Sequence, residues 1–240
     1  MAIFSIADLH LSRSVDKPMD IFGHRWQGYE GKLESRWRAV VSENDTVVVP
    51  GDISWAMTLP EAEADLRFID SLPGKKLIGK GNHDFWWHTM AKMTRFLDDK
   101  GIMSIRFLYN NAYAVENKVV CGTRGWYVEE KFQQKARNSP DYAKIVAREA
   151  GRLEICLTEA EALKRETGAE EILVYFHFPP VFEDFVCREI VDVMKQHGIT
   201  RCYYGHIHGK YNIPDRCEFE GINMSIISSD YLNFTPMITR

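Results

Sequence analysis

The sequence contains no apolar run near the roughly 18 residues that a membrane-spanning helix requires. Its first residues, Met1 to Ala7, have neither the basic start nor the long apolar stretch of a secretory signal. Its five cysteines are widely spaced and form no C-x-x-C pair, which argues against a disulfide framework. These absences predict a cytoplasmic protein with reduced thiols and no membrane partner.

The chain also lacks an excess of positive charge. It has 30 lysines and arginines against 34 acidic residues, which gives a formal net charge of −4. An acidic balance attracts neither nucleic acid nor anionic lipid, so there is no strong nucleic-acid signal. No repeat or linker interrupts the 240 residues, which are enough for one large core. We therefore expect a single domain over residues 1–240, of unspecified oligomeric state.

Short apolar runs alternate with segments of helical periodicity at both ends of the chain. The main predicted strands are residues 2–7, 46–50, 75–79, 171–176 and 201–204. Predicted helices between them include Phe85–Lys100 and Glu183–His197, and short strands joined by a hairpin turn occupy the middle. This order predicts an α/β fold of parallel βαβ units with added antiparallel strands.

Polar clusters follow most of these predicted strands. The clusters are Asp8-Leu9-His10, Gly51-Asp52, Gly81-Asn82-His83-Asp84, His177 and Gly205-His206-Ile207-His208. They contain five of the eight histidines in the chain. Since ligands of open α/β sheets bind beyond the carboxyl ends of the strands, the clusters are expected to converge. Imidazole, carboxylate and amide groups suit divalent metals, so these residues predict a site for two adjacent metals.

Each cluster also has an ordinary structural explanation when it is taken alone. Asp8 with His10, or Gly51 with Asp52, would suit a polar turn after a strand. Gly81-Asn82-His83-Asp84 would suit a loop that caps a helix. His177 would suit a hydrogen-bonded core histidine. The occurrence of all of them in order, at strand ends, favours the metal site.

The ordered series D-x-H, G-D, G-N-H-D, H and G-H-x-H over residues 8–208 resembles the calcineurin-like metallophosphoesterase superfamily. Segments 16–23 and 122–126 resemble its bacterial group of stand-alone predicted phosphohydrolases. The resemblance implies a four-layer α/β/β/α sandwich of two mixed β-sheets flanked by helices. It also implies a metal-dependent phosphoric ester hydrolase, in which a metal-bridging hydroxide attacks a phosphomonoester or phosphodiester.

The resemblance assigns the metal ligands to two sets that share a bridging residue. The first set would be Asp8, His10 and His208. The second set would be Asn82, His177 and His206. Asp52 would bridge the two ions. These ions would be drawn from manganese, iron, zinc, cobalt and nickel, because the same ligands serve several of these metals.

The resemblance gives catalytic roles without metal contact to His83 and Asp84. His83 would stabilise or protonate the leaving oxygen, and Asp84 would orient His83 by accepting its other ring N–H. The alternative is a catalytically silent scaffold that keeps the fold for protein interaction. The presence of His83 and of all seven ligand residues argues against that alternative.

Three further residues are candidates for substrate contact, namely His24, Arg25 and Arg124. The first two lie in the long loop over residues 9–30, for which a solvated surface loop is an equal alternative. Arg124 would either clamp a phosphate or form an ordinary surface ion pair. We expect a small phosphorylated substrate, with its specificity set by residues 9–30 and 124–133.

Overall fold

The first of two large sheets is built mainly from the amino-terminal half of the chain. The computed structural model describes residues 1–239, apart from the side chains of Glu130 and Arg137. The strands of the first sheet are β1 (Ile3–Ser5), β2 (Thr46–Val49), β3 (Lys75–Ile78), β4 (Ile105–Phe107) and β13 (Met237–Ile238). Their order is β13-β1-β2-β3-β4, in which β1 to β4 are parallel and β13 is antiparallel to β1.

The second large sheet has four parallel strands with an antiparallel strand at each edge. Its strands are β5 (Asn111–Val115), β6 (Lys118–Thr123), β7 (Glu171–Phe176), β10 (Arg201–Tyr204), β11 (Arg216–Phe219) and β12 (Ile222–Ile226). Their order is β11-β12-β10-β7-β6-β5. The short strands β8 (Val181–Phe182) and β9 (Phe185–Val186) form a separate hairpin.

Helices cover the outer face of each sheet. The helices are α1 (Tyr29–Val40), α2 (Glu63–Ser71), α3 (Met90–Lys100), α4 (Glu130–Arg137), α5 (Tyr142–Thr167) and α6 (Arg188–Gln196). Buried residues of α1, α2 and α3 share one core with the first sheet. Buried residues of α5 and α6 share another core with the second sheet. A third core lies between the two sheets, so the predicted four-layer α/β/β/α arrangement is confirmed.

Strand β2 shows why continuous apolar runs form these sheets. All four of its residues are buried, because β1 and β3 flank the strand and both of its faces are covered. Val47 and Val49 belong to the helix-side core, whereas Val48 belongs to the core between the sheets. Alternate side chains point to opposite faces of a strand, so the Val-Val-Val run fills both cores at once.

Two predicted helices begin later than their sequence periodicity indicates. Helix α3 begins at Met90 rather than Phe85, because the Thr89 side chain accepts the Lys92 N–H and caps the helix there. The segment from Glu183 starts as the β8–β9 hairpin, since Phe182 and Phe185 are buried in the second core. Glu183 itself has a φ of 49°, the left-handed conformation of a tight turn.

The two sheets are joined directly beyond the carboxyl ends of β1 and β12. The Ala7 N–H donates to the Ile227 carbonyl at 2.7 Å, and the Ala7 carbonyl accepts from Ser229 at 2.9 Å. This contact forms an isolated parallel bridge between Ala7 and Ser228. Residues that follow either strand are thereby brought to one place.

Three sequence expectations concern the chain as a whole. No helix within the described residues has the length and apolar character to cross a bilayer. All five cysteines are free thiols in the structure. The single domain over residues 1–240 stays a prediction.

His197, which follows α6, connects this helix to α5 through two carboxylates. Its Nδ1 lies 2.7 Å from Glu161 Oε1, and its Nε2 lies 3.0 Å from Glu154 Oε1. Burial disfavours the protonated imidazole, but the two hydrogen bonds outweigh burial and raise the pKa of His197. Because the folded pKa lies above the unfolded one, the stabilisation is complete below about pH 6.5 and disappears as pH rises through the folded pKa.

We expect His197→Gln to lower the free energy of unfolding by about 0.5–1 kcal/mol at pH 5.5 and by less at pH 9. Urea denaturation at the two pH values measures this difference. His24→Gln, at an exposed histidine, is the matched control and should show no such pH dependence. An equal loss of stability at both pH values would contradict the ion-pair explanation.

Candidate metal centre

The segments after β1 and β2 run side by side and carry three of the predicted ligands. The Asp8 N–H donates to the Gly51 carbonyl at 3.0 Å, and the His10 N–H donates to the Asp52 carbonyl at 2.9 Å. The pairing continues to a bridge between Leu11 and Ser54. Asp8, His10 and Asp52 are therefore held in register by backbone hydrogen bonds.

The first predicted ligand set converges on one point. Ligand atoms of Asp8, His10 and His208 all lie within 4.8 Å of one another. The Nε2 atoms of His10 and His208 face each other at 3.2 Å. The carboxylate of Asp8 also accepts the His206 N–H at 2.9 Å, which connects the loop after β1 to the loop after β10.

The second predicted set lies beside the first and shares Asp52 with it. Ligand atoms of Asp52, His177 and His206 lie within 4.8 Å of one another. Asn82 Oδ1 lies 2.7 Å from His177 Nε2, so the amide faces the same point. Asp52 Oδ2 lies 3.6 Å from the Nε2 atoms of both His10 and His177. Asp52 is thus placed between the two sets, as a bridging ligand would be.

The electrostatics of these groups fit bound divalent cations. Burial raises the pKa of Asp8 to about 6. Burial, followed by repulsion from Asp84 and Asp8, holds the pKa of Asp52 well above its ordinary value. Burial and neighbouring histidines lower the pKa of His10 and His177, so both imidazoles are neutral, which is their metal-binding form. Nearby cations would stabilise the buried carboxylates without protonation.

The ligand residues adopt unusual backbone conformations. Four of them have positive φ, namely Asp8 at 61°, His10 at 47°, Asp52 at 51° and His206 at 70°. Such backbone conformations are unfavourable for residues that have a Cβ. They occur most often at functional sites. They turn the side chains inward immediately after each strand.

Gly81 permits a close approach that the site requires. A Cβ at Gly81 would overlap the carboxylate and the backbone nitrogen of Asp52. The loop after β3 therefore packs directly on the central carboxylate, and no larger residue fits there. This contact explains the glycine that precedes Asn82.

His83 lies at the edge of the centre, where a substrate can reach it. Its backbone N–H donates to Asp52 Oδ1 at 2.8 Å, and its Nε2 lies 4.0 Å from Asp52 Oδ2. Its imidazole packs on the indole of Trp55, with ring centroids 4.2 Å apart. Burial and the nearby charges of His208 and Lys17 lower the pKa of His83 to about 4. The side chain is 35% exposed, unlike the buried Asp52.

Asp84 does not make the contact with the His83 ring that the resemblance implies. Its carboxylate is buried and accepts five hydrogen bonds from N–H groups other than that ring. The donors are the backbone N–H groups of Asp52, Ile53, Ser54 and Gly81 and the indole N–H of Trp86. Asp84 points inward and holds the loops after β2 and β3 together, so its effect on His83 is indirect.

Asp230 is a contributor to the centre that the sequence analysis missed. Its buried carboxylate accepts the Nδ1–H of His208 at 2.8 Å, together with the Gly209 N–H and the Tyr211 hydroxyl at 3.0 Å each. Burial disfavours the protonated imidazole, but this hydrogen bond outweighs it and raises the pKa of His208. The contact orients the ring so that Nε2 faces the ligand cluster.

His24 and Arg25, which were predicted to contact the substrate, both lie in the long first loop. Arg25 donates to the Asp230 carbonyl at 2.9 Å and lies 3.7 Å from the Tyr211 ring centroid, so it anchors the long first loop. His24 is exposed, whereas the following Trp26 is buried against the rings of His10 and His208. From residues 9–30, Trp26 contacts the rings of two candidate ligands, and the Tyr29 hydroxyl donates to the His10 carbonyl at 2.7 Å.

Arg124 lies beside the second ligand set. Its guanidinium carbon lies 5.4 Å from the centroid of the Phe178 ring, and Phe178 packs on both His177 and His206. Its Nε is buried without a partner. Among the side chains that the structure describes, no carboxylate pairs with Arg124, in contrast to the ion-pair alternative.

Comparisons with known proteins give one family match and several similar solved structures. The sequence profile of the calcineurin-like phosphoesterase family matches residues 1–210, which include every predicted ligand and His83. No curated protein matches the chain. The solved structure of TT1561 from Thermus thermophilus is similar in fold, with a TM-score of 0.56 at 11% identity. The alignment covers 95% of this chain and 89% of that one.

Two further solved structures align over most of the chain. A protein of unknown function, AQ665 from Aquifex aeolicus, has 14% identity and a TM-score of 0.46, with 99% of this chain and 95% of that one covered. Phosphopantetheinyl hydrolase from Mycobacterium tuberculosis has 16% identity and a TM-score of 0.49, with 95% and 88% covered.

The hydrogen bond between Asp230 and His208 generates a test of metal binding. We expect Asp230→Asn to weaken the affinity for a divalent metal by roughly 10–100-fold, because the ring of His208 loses its charged orienting partner. Competition with a chromophoric chelator measures the affinity. Asp45→Asn is the matched control, because Asp45 is also a buried carboxylate that accepts backbone N–H groups. It lies before β2, at the end of this strand that is opposite to the centre. If the folded Asp230→Asn protein binds the metal with unchanged affinity, Asp230 does not orient His208 for metal binding.

Gly81 generates a second test. We expect Gly81→Ala to abolish stoichiometric metal binding and to lower the free energy of unfolding by about 1–3 kcal/mol, because the new methyl group overlaps Asp52. Metal analysis and urea denaturation measure the two effects. In the control Gly151→Ala, within α5, the new Cβ meets nothing within 4 Å. That variant should bind metal normally, and its free energy of unfolding should rise by about 0.5–1 kcal/mol. Normal metal binding by Gly81→Ala would refute the close-packing requirement.

Proposed function

Since this chain belongs to the calcineurin-like phosphoesterase family, we propose that it hydrolyses a small phosphomonoester or phosphodiester at a centre of two divalent metal ions. In general terms it is a metal-dependent phosphoesterase. The observation that supports the dinuclear centre is the pair of convergent ligand groups with Asp52 between them. The ions would be drawn from manganese, iron, zinc, cobalt and nickel.

The residues that would hold the metals are the two sets described above. Asp8, His10 and His208 would bind one ion. Asn82, His177 and His206 would bind the other, and Asp52 would contact both. When bound, the ions would polarise the phosphoryl group and activate a water molecule as the nucleophile. No covalent nucleophile from the protein is then required.

The protein side chains would orient the reaction around that centre. His83 is fixed through its backbone on Asp52 and through its ring on Trp55, at the partly exposed edge of the site. A ring nitrogen of His83 would therefore donate a hydrogen bond to the leaving oxygen as the phosphorus–oxygen bond breaks. Asp84 would keep the two loops in place beneath it.

The space beside the ligands suits a small substrate. A cavity of about 490 Å³ is lined by His206 and His208 together with Tyr127, Phe182 and Lys131. Cavities of this volume accommodate small organic ligands. The rings of Tyr127 and Phe182 would pack on the organic part of a phosphate ester, whereas the two lysines of the cavity already pair with Glu129 and Glu183 in its wall. The free cysteines agree with a cytoplasmic location, where thiols stay reduced.

His83 provides the test of this function. With aryl phosphate monoesters and diesters as substrates, we expect His83→Ala to lower kcat by ~10²–10⁴ while metal content is unchanged, because its ring is absent from both ligand sets. His88→Ala, at an exposed histidine four residues before Lys92, is the control and should retain full turnover.

The same experiment distinguishes the phosphoesterase hypothesis from the alternative of a catalytically silent scaffold. Unchanged turnover of His83→Ala would remove this residue from the mechanism. Failure of the folded wild-type protein to hydrolyse any ester with each of the five metals would favour the scaffold instead.

A further inference from the structure

The cavity beside His206 and His208 has an aromatic wall, formed by Tyr127 and Phe182. The centroids of these two rings lie 6.1 Å apart, and the ring planes meet at 83°. Phe185 is buried and packs on Tyr127, with ring centroids 5.1 Å apart. Since Phe182 and Phe185 belong to the core of the second sheet, close packing holds this wall in place.

The aromatic wall directly contacts one of the candidate metal ligands. The ring centroid of Tyr127 lies 5.6 Å from that of His206, in an edge-to-face arrangement at 65°. His206 and His208 line the same cavity of about 490 Å³. A phosphoryl group at the candidate metal centre and an organic group against the wall can therefore belong to one small molecule.

The charged side chains at this cavity neutralise one another. Among the described side chains that line it, two lysines stand against two glutamates. Lys131 Nζ lies 2.8 Å from Glu129 Oε2, and Lys210 Nζ lies 2.8 Å from Glu183 Oε1. All four side chains are exposed, so the ion pairs form the rim of the cavity. A second anionic group would meet a carboxylate beside each ammonium and gain little net attraction.

We propose that this cavity selects phosphate esters whose organic group is an uncharged aromatic ring, with Tyr127 and Phe182 as the specificity-determining residues. This inference rests on the proposed phosphoesterase function and narrows its substrate class. Aromatic rings attract one another through edge-to-face and offset contacts in addition to the burial of apolar area. The neutral rim provides no corresponding attraction for a charged organic group.

Ligand binding tests the selectivity without any need for turnover. Isothermal titration calorimetry of the metal-saturated protein would compare phenylphosphonate with methylphosphonate, cyclohexylphosphonate and 4-carboxyphenylphosphonate. We expect phenylphosphonate to bind about tenfold more tightly than methylphosphonate, because its ring leaves water for the aromatic wall. Cyclohexylphosphonate should bind about threefold more weakly than phenylphosphonate. The added carboxylate of 4-carboxyphenylphosphonate should give no gain in affinity.

Variants then assign the selectivity to the two rings. Tyr127→Leu and Phe182→Leu should each remove most of the difference between phenylphosphonate and methylphosphonate, whereas Tyr127→Phe keeps the ring and should retain it. Phe132→Leu is the matched control, because this exposed phenylalanine of α4 is not among the residues that line the cavity. Metal analysis and thermal melting of each variant verify the centre and the fold.

The neutrality of the rim has a test of its own. Glu183→Gln removes the carboxylate that pairs with Lys210. This variant should bind 4-carboxyphenylphosphonate several-fold more tightly than the wild-type protein does, with little change for phenylphosphonate. Glu166→Gln, at an exposed glutamate of α5, is the matched control and should leave both affinities unchanged.

Three outcomes would overturn the proposal. The first is equal affinity of the wild-type protein for phenylphosphonate and either methylphosphonate or cyclohexylphosphonate. The second is tighter binding of 4-carboxyphenylphosphonate than of phenylphosphonate by the wild-type protein. The third is an equal loss of affinity for all ligands in Tyr127→Leu and Phe182→Leu, which would mean that the rings act through His206. Absence of ester hydrolysis would contradict the proposed function separately, because the binding differences do not depend on it.

Discussion

The buried carboxylate of Asp84 is the interaction on which the geometry of the centre depends. It accepts hydrogen bonds from three consecutive backbone N–H groups after β2, from one backbone N–H after β3 and from the indole N–H of Trp86. Without this acceptor, these donors would be buried and unpaired, at a cost of about 1–3 kcal/mol for each group. One side chain thereby sets the distance between Asp52 and the loop that carries Asn82 and His83. The last residue of the Gly-Asn-His-Asp cluster holds the loops in place, and the other three occupy the positions that result.

The backbone conformations of the candidate ligands conflict with local backbone preference, which explains why so many long-range contacts surround these residues. Asp8, His10, Asp52 and His206 all have left-handed φ values, each at a cost of order 1–3 kcal/mol. Carboxylates buried close together add repulsion to that strain. The bridge between Ala7 and Ser228 and the hydrogen bond from His206 to Asp8 hold the two sheets together at this point. The stable cores on both sides of the site provide the free energy that maintains this conformation.

Much of the fold, and the convergence of the candidate ligands, was predictable because the relevant signals are local. Each ligand cluster follows a short apolar run, and β2 shows how such a run becomes a strand covered on both faces. The start of α3 was not predictable from periodicity, because Trp86 and Trp87 extend the apolar pattern although they belong to the loop around Asp84. The roles of Trp55 and Asp230 were likewise hidden. They depend on contacts between loops that are distant in sequence, and neither residue belongs to a motif.

Residues 211–239 contribute to the centre, although the family profile ends at residue 210. Strand β13 pairs with β1, and Thr239 joins a buried hydroxyl cluster with Ser5 and Tyr175 between the two sheets. The same segment supplies Asp230, whose carboxylate fixes His208 and whose carbonyl accepts from Arg25. A candidate ligand from the ordered series, His208, is therefore oriented by a residue from outside that series. Since the first loop also binds there through Arg25, one buried aspartate connects the candidate metal ligand His208 to the segment that borders the site.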